Sequence, residues 1–396
     1  MKADSPADPT ATARLLAIVL VLLAGVMTGA QLGKVAPLIP WYREELGLSL
    51  VAAGWLAAVL GLFVALAALS AGWAIARLGL RRSIVLGTAA LAAGGVALAL
   101  STSFAGIFAA RLVEASGYLV LCVALPAALN AVSPAHWKGP VLAIWSGFVP
   151  LGFATSDFLA LAMLPSFAPP AYLLTVAFAF LALAAAALLS LRGFPLAAAS
   201  AASGGLSATL SARTLLLAVS FGAFVVLSVS MFTFMPAFVA GEGAHYLVSA
   251  GAIALSVPFG NVLAGVLVRG RGPGWMAGLA VFGFAVGAVA AVPAFTLANP
   301  ALATLSALAL AVSGALVASA QFAAIPFIIP RAGSVPVAIG LVAQAGGIGT
   351  VFGPPMAASV VESAGWAGFG WFLAAVAVVG LGCMLPLVRA GRGEAA

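Results

Sequence analysis

"RGFPLAAASAASGGLSATLSAR", Arg192 to Arg213, is the stretch that decides the fold. Ala, Ser and Gly dominate it, in a chain whose other segments are long apolar runs, so it reads as a flexible linker and a boundary. Six apolar runs precede it, at about 14–40, 49–75, 83–100, 105–132, 139–163 and 169–191. Six follow it, at about 214–240, 249–268, 275–297, 300–329, 336–361 and 367–388. The linker therefore divides the chain into an N-terminal unit, 1–192, a connection, 193–213, and a C-terminal unit, 214–396.

Each run has the length needed to cross a hydrocarbon core of about 30 Å. Of the 396 residues, 64% are hydrophobic and 6% charged, and the mean hydropathy is +1.24; a water-soluble domain carries about 25% charged residues. Backbone polar groups must be satisfied inside lipid, so the runs are expected to be helices. A β-barrel would need alternating segments of about ten residues, and the sequence has none. The expected class is an all-α membrane protein with twelve transmembrane helices in two six-helix bundles. The residues before Arg14 have no secretory n-region, so the first helix is expected to stay as an anchor.

The net charge of +7 does not point to nucleic acid, because the basic residues lie singly or in small groups between runs instead of sharing a patch. Their placement fixes orientation instead. If the N-terminus is cytoplasmic, thirteen basic residues face inward, among them Arg14, Arg77, Arg81, Arg82, Lys138, Arg192, Arg213, Arg269 and Arg331, against Lys34 and Arg43 outside. Both termini are then cytoplasmic, in a cell inner membrane or plasma membrane. The two sets also correspond: Arg14 and Arg213 open them 199 residues apart, Arg77 and Arg269 close the second runs 192 apart, and Lys138 and Arg331 the fourth runs 193 apart. Such a repeat implies two bundles facing each other around a central site.

The loop after the second run, "GWAIARLGLRR", resembles the signature loop of the major facilitator superfamily. Gly72, Arg77, Gly79, Arg81 and Arg82 match it in spacing, while Ala76 replaces its aspartate and Leu80 its middle arginine. In that family the aspartate helps latch the inner gate, so the resemblance assigns the loop to gating. "RLVEASGYLVLCVALP", Arg111 to Pro126, resembles the family's fourth helix through Arg111, Glu114 and Gly117. "LVAQAGGIGTVFGPPMAASVVESAGW", Leu341 to Trp366, is similar to the eleventh helix of the cyanate and nitroimidazole permease branch. The resemblance implies a twelve-helix carrier working by alternating access. Independently of it, Gly79 reads as a tight turn, with Arg77, Arg81 and Arg82 placed to reach helix C-termini and anionic headgroups.

Four ionisable residues lie within the runs: Lys34, Arg111, Glu114 and Asp157. Each costs a few kcal/mol in a bilayer, so each should face the protein interior and a partner. The helical rise of about 1.5 Å per residue puts them in one slab, roughly 9–12 Å below the outer surface. Arg111, Glu114, Tyr118 and Cys122 share one stripe, and Met27, Gln31 and Lys34 another. The stripes read as walls of one polar cavity. Two readings stay open. In the first, Arg111 pairs with Glu114 or Asp157, Lys34 snorkels outward and nothing titrates. In the second, Lys34 or Arg111 attracts an anionic solute, with Gln31, Tyr118 and Asn261 as further contacts, while Glu114 or Asp157 alternates between ion pair and protonated acid and couples transport to protons.

Cys122 and Cys383 lie in different runs, and neither His136 nor His245 has a metal-ligand neighbour, so no disulfide, metal or other cofactor is expected. "GAQLGK" ends like a phosphate-binding loop, but Thr28 stands where its first glycine belongs and Val35 follows the lysine. No serine or cysteine has a histidine placed to activate it, so an enzyme is not expected. The sequence predicts a secondary transporter for a small, anionic solute, a symporter or antiporter acting as a monomer among membrane lipids. Efflux of uncharged apolar compounds is the alternative, and a non-transporting receptor or assembly factor the alternative from another class.

Overall fold

The computed structural model describes residues 10–134, 137, 141, 144–194, 196, 209–243, 245–330 and 335–393. Lys138, Arg331, His136 and most of the linker 193–213 lie outside the described residues. The described chain is helical: α1 Ala11–Gly33, α2 Ile39–Leu46, α3 Leu50–Ala58, α4 Gly61–Leu78, α5 Leu80–Leu100, α6 Phe104–Val132, α7 Phe148–Met163 and α8 Pro169–Ser190 precede the linker. After it come α9 Ala212–Ala240, α10 Ala250–Leu255, α11 Val257–Val268, α12 Pro273–Thr296, α13 Pro300–Ile328 and α14 Val335–Gly393.

Local chemistry sets the helix starts. Thr10, Ser49, Ser103, Ser211, Ser249 and Asn299 each precede a helix and accept a first-turn amide on the side chain. Proline sits in the first turn of α2, α8, α11, α12 and α13, where its missing N–H costs no helical bond. Gly79, at φ 84°, is the single residue between α4 and α5, a conformation that an L side chain resists.

Among the described residues nine segments are long and apolar enough to span a bilayer, or ten if the bent pair α3–α4 counts as one span. The remaining difference from twelve has two sources. One is α7, only 16 residues long as described. The other is α14, which runs 59 residues without a loop and corrects the expected gap between the eleventh and twelfth runs: two helices join across a kink at one non-helical residue, Gly365 at φ 65° and ψ −170°. Only glycine enters that region freely.

The first run is likewise not one helix. It breaks after Gly33 into a 3-10 turn at Ala36–Leu38 and then α2. The second run bends by 48° between α3 and α4, and the eighth breaks at Ser256 between α10 and α11. Before the linker, α1 packs against α6, α7 and α8, and α5 against α6 and α8. The contact of α1 with α7 is backbone to backbone, since a Cβ on Gly29 would stand 2.9 Å from the Phe148 carbonyl carbon and one on Gly152 2.7 Å from the Gly29 Cα. After the linker, α14 packs on α9 and α12, and α13 on α11 and α12. The two sets meet where α3 and α4 lie on α14 and where α7 lies on α10.

Candidate functional site

The site grows from a buried charge problem in α1 and α6. Lys34, the residue that ends α1, and Arg111 and Glu114, one turn apart in α6, have no solvent exposure at all. Charges so placed need partners close by. Glu114 supplies one carboxylate to both cations: Oε2 takes Arg111 Nη1 at 2.8 Å, and Oε1 takes the Lys34 ammonium. With all three ionised the cluster carries one net positive charge.

The two cations are held differently. Arg111 is bound mainly by backbone, donating through Nε to the Leu56 carbonyl at 2.9 Å, through Nη2 to Ala57 at 3.3 Å and through Nη1 to Gln31 at 2.7 Å. Leu56 and Ala57 are the two residues before the last of α3, where the bend leaves carbonyls without helical donors; the guanidinium fork fills that deficit. Lys34 is bound by side chains alone, donating to Gln31 Oε1 at 2.7 Å and to Glu114. The Gln31 amide in turn donates to the Met27 carbonyl at 3.3 Å.

The stripes on α1 and α6 thus lie together, joined directly to each other by these ion pairs. Lys34 does not snorkel; it is fully buried. Arg111 takes Glu114 and not Asp157. Tyr118 is buried on the same α6 stripe and hydrogen-bonds Cys122. Nothing in the pattern of residues pointed to Tyr42, whose buried hydroxyl has no hydrogen-bond partner among the described residues.

Asp157 lies apart from the triad. Its Oδ2 accepts the Gly251 amide of α10 at 2.6 Å, and the Ser249 hydroxyl also hydrogen-bonds it. No cation is bridged to it among the described residues. Beside it is a cavity with room for about one water, bounded by Gly33, Pro37, Phe153, Phe232 and Ala254. Asn261 is not brought to the triad either. Its Oδ1 accepts from Ser319 at 3.1 Å, and its Nδ2 faces Gly147.

The loop residues fall at the opposite end. Gly72 is within α4, Arg77 and Arg82 are exposed, and Arg81 Nη2 donates to the Leu191 carbonyl at 2.6 Å, capping α8. A positive group there also complements the helix dipole. Arg14 does the same for α6, donating to Val132 at 3.2 Å. Among the described residues after the linker the buried polar side chains are neutral: Gln321 Nε2 donates to Ser220 at 2.7 Å, and Ser220 to the Gly380 carbonyl at 2.9 Å.

A family model described as Major Facilitator Superfamily matches residues 21–335. No curated protein sequence matches the chain. Among solved structures it is similar to a bacterial homolog to the human lysosomal transporter Spinster, in an inward-facing and unoccupied conformation. The TM-score is 0.76 at 15% identity, covering 98% of this chain and 99% of that one. At that identity the likeness is one of fold.

Proposed function

This chain belongs to the Major Facilitator Superfamily and is a transporter rather than an enzyme; from that premise we propose that it moves a small anionic solute in exchange or symport with protons, with Lys34 as the solute's cation. The contrast between the two cations carries the reading. Arg111 is fixed by three backbone carbonyls and serves as an anchor for Glu114. Lys34 is held only by the side chains of Gln31 and Glu114, which can turn away. An anion arriving from the side of α1 replaces one of these at Lys34, while Arg111 keeps Glu114 in place. Gln31 and Tyr118 then border the solute, and Asn261, which lies away from the triad against Ser319 and Gly147, is proposed to meet it at a later point on its path between the bundles.

Glu114 and Asp157 are the proposed proton carriers. Glu114 faces Lys34 and Arg111, and its protonation frees Lys34 for the solute. Asp157 faces the amide of Gly251, the Ser249 hydroxyl and the water-sized cavity. The moving units are residues 1–192 and 214–396, linked by 193–213, with Gly72, Arg77, Gly79, Arg81 and Arg82 forming the gating loop at the cytoplasmic end. The chain acts as a monomer in a cell inner membrane or plasma membrane, with both termini cytoplasmic.

A thermal-shift screen of the purified protein against small carboxylates, cyanate-like anions and nitroimidazoles, followed by uptake into proteoliposomes under an imposed pH gradient, tests this. An anion should raise Tm in the parent and have no effect in Lys34→Gln. Stabilisation by uncharged apolar compounds alone, with uptake retained in Lys34→Gln, would overturn the reading in favour of efflux of apolar compounds.

A further inference from the structure

Two carboxylates tie the first half of the chain to the second at one end of the molecule, the end where α2 leads into α3 and α9 into α10. Asp157 of α7 reaches to α10 and accepts the Gly251 amide at 2.6 Å. Glu362 of α14 reaches the other way, to α3, and accepts the Leu50 and Val51 amides at 2.5 and 3.2 Å. Both acceptors meet the opening amides of a helix whose cap is a serine, Ser49 in one case and Ser249 in the other, 200 residues apart. The carboxylates themselves are 205 residues apart. The same bond is thus made twice, once in each direction across the interface.

We infer that Asp157 and Glu362 are paired clasps that hold this end shut, and that the end opens only when both let go. The inference goes beyond the transport reading and depends on neither the solute nor the proton. A carboxylate bonded to backbone amides makes a charge-assisted hydrogen bond, stronger than a neutral one, yet on opening both partners meet water, which keeps release reversible. The clasps are unequal. Asp157 is buried and Glu362 exposed, so water and salt weaken the second more than the first. Gly251 belongs to the buried clasp: a Cβ there would stand 2.8 Å from Asp157 Oδ2 and 3.2 Å from the Ala154 carbonyl oxygen.

Pulsed spin-label distances on the full chain test the proposal, with labels on cysteines placed at the exposed positions Thr102 and Ala298 after Cys122 and Cys383 are changed to alanine. Asp157→Ala should shift the ratio of short to long distances about a hundredfold towards long, Glu362→Ala about tenfold, and the double variant by about the product of the two. Asp157→Asn and Glu362→Gln keep side-chain volume and a neutral acceptor, so they should shift it in the same direction by less, and they serve if an alanine variant does not fold. Gly251→Val should behave as Asp157→Ala does with the carboxylate intact, and Glu45→Gln, at the same end, should change nothing. A double variant with the parent's distance distribution overturns the proposal, and so does full opening by Glu362→Ala alone.

Discussion

The two halves of the chain fill the same interior positions with opposite chemistry. The caps Thr10 and Ser211 open α1 and α9 at an offset of 201 residues, and Ser103 and Asn299 open α6 and α13 at an offset of 196. Lys34 then corresponds to Met235, Arg111 to Ala307 and Glu114 to Leu310, and all six are fully buried. The bends correspond as well. In the first half, the bend after α3 leaves the Leu56 and Ala57 carbonyls to Arg111. In the second, the break between α10 and α11 is served locally by Ser256, whose hydroxyl donates to the Ile253 carbonyl at 2.6 Å.

The second half shows that six helices pack at these positions without charge. A buried ion triad is weak evidence for stability, since apolar residues of similar volume often serve as well or better. The charges in the first half therefore ask for a reason other than folding, and the solute and proton handling proposed above is the one put to test. Retaining them makes the first half vulnerable in a way the second is not, because each charge, once buried, depends on the others.

That contrast can be broken, and the largest effect is expected from Arg111→Ala. It strands three carbonyls and leaves Glu114 with one cation, so unfolding should become easier by about 3–5 kcal/mol, read as a fall in Tm. Gly365→Ala acts where two helices of the second half join across a kink at a single residue; forcing an L side chain into that conformation should cost about 1–3 kcal/mol, and no charge is involved. The triple variant Lys34→Met, Arg111→Ala, Glu114→Leu installs the second half's residues in the first. It should be more stable than Arg111→Ala alone, within about 2 kcal/mol of the parent, while losing any stabilisation by anions. A triple variant less stable than the single one would show that the halves are not equivalent. The smallest effect belongs to Gln321→Leu, where one neutral hydrogen bond to Ser220 is lost and the unpaired Gln321 Oε1 goes with it. A cost of about 1 kcal/mol or less is expected, and a loss as large as that of Arg111→Ala would mean the neutral network is as critical as the charged one.

Most of the architecture was legible in the sequence, because a bilayer imposes length and polarity on every span whatever its neighbours are. The serine and asparagine caps, the prolines and Gly79 set helix limits through bonds a few residues long, which is why the fourth run, expected at about 105–132, is α6 at Phe104–Val132. The shared face of Arg111 and Glu114 followed from the helical period, and of the two partners left open for Arg111 the one a turn away, Glu114, is the one it takes.

What the sequence left open was decided by the tertiary structure. Periodicity gives the face of a helix but not which helix stands opposite, so Asp157 stayed open beside Glu114 as a partner for Arg111, whereas it faces α10. Backbone groups carry no mark of who will bond them. The carbonyls of Leu56 and Ala57 and the amides of Leu50 and Gly251 are partners to Arg111, Glu362 and Asp157 only because a bend, a cap and a neighbouring helix converge there. The sequence by itself determined that four charges are buried in the spans; only packing decided that three of them form a closed cluster within one half and the fourth joins the two halves.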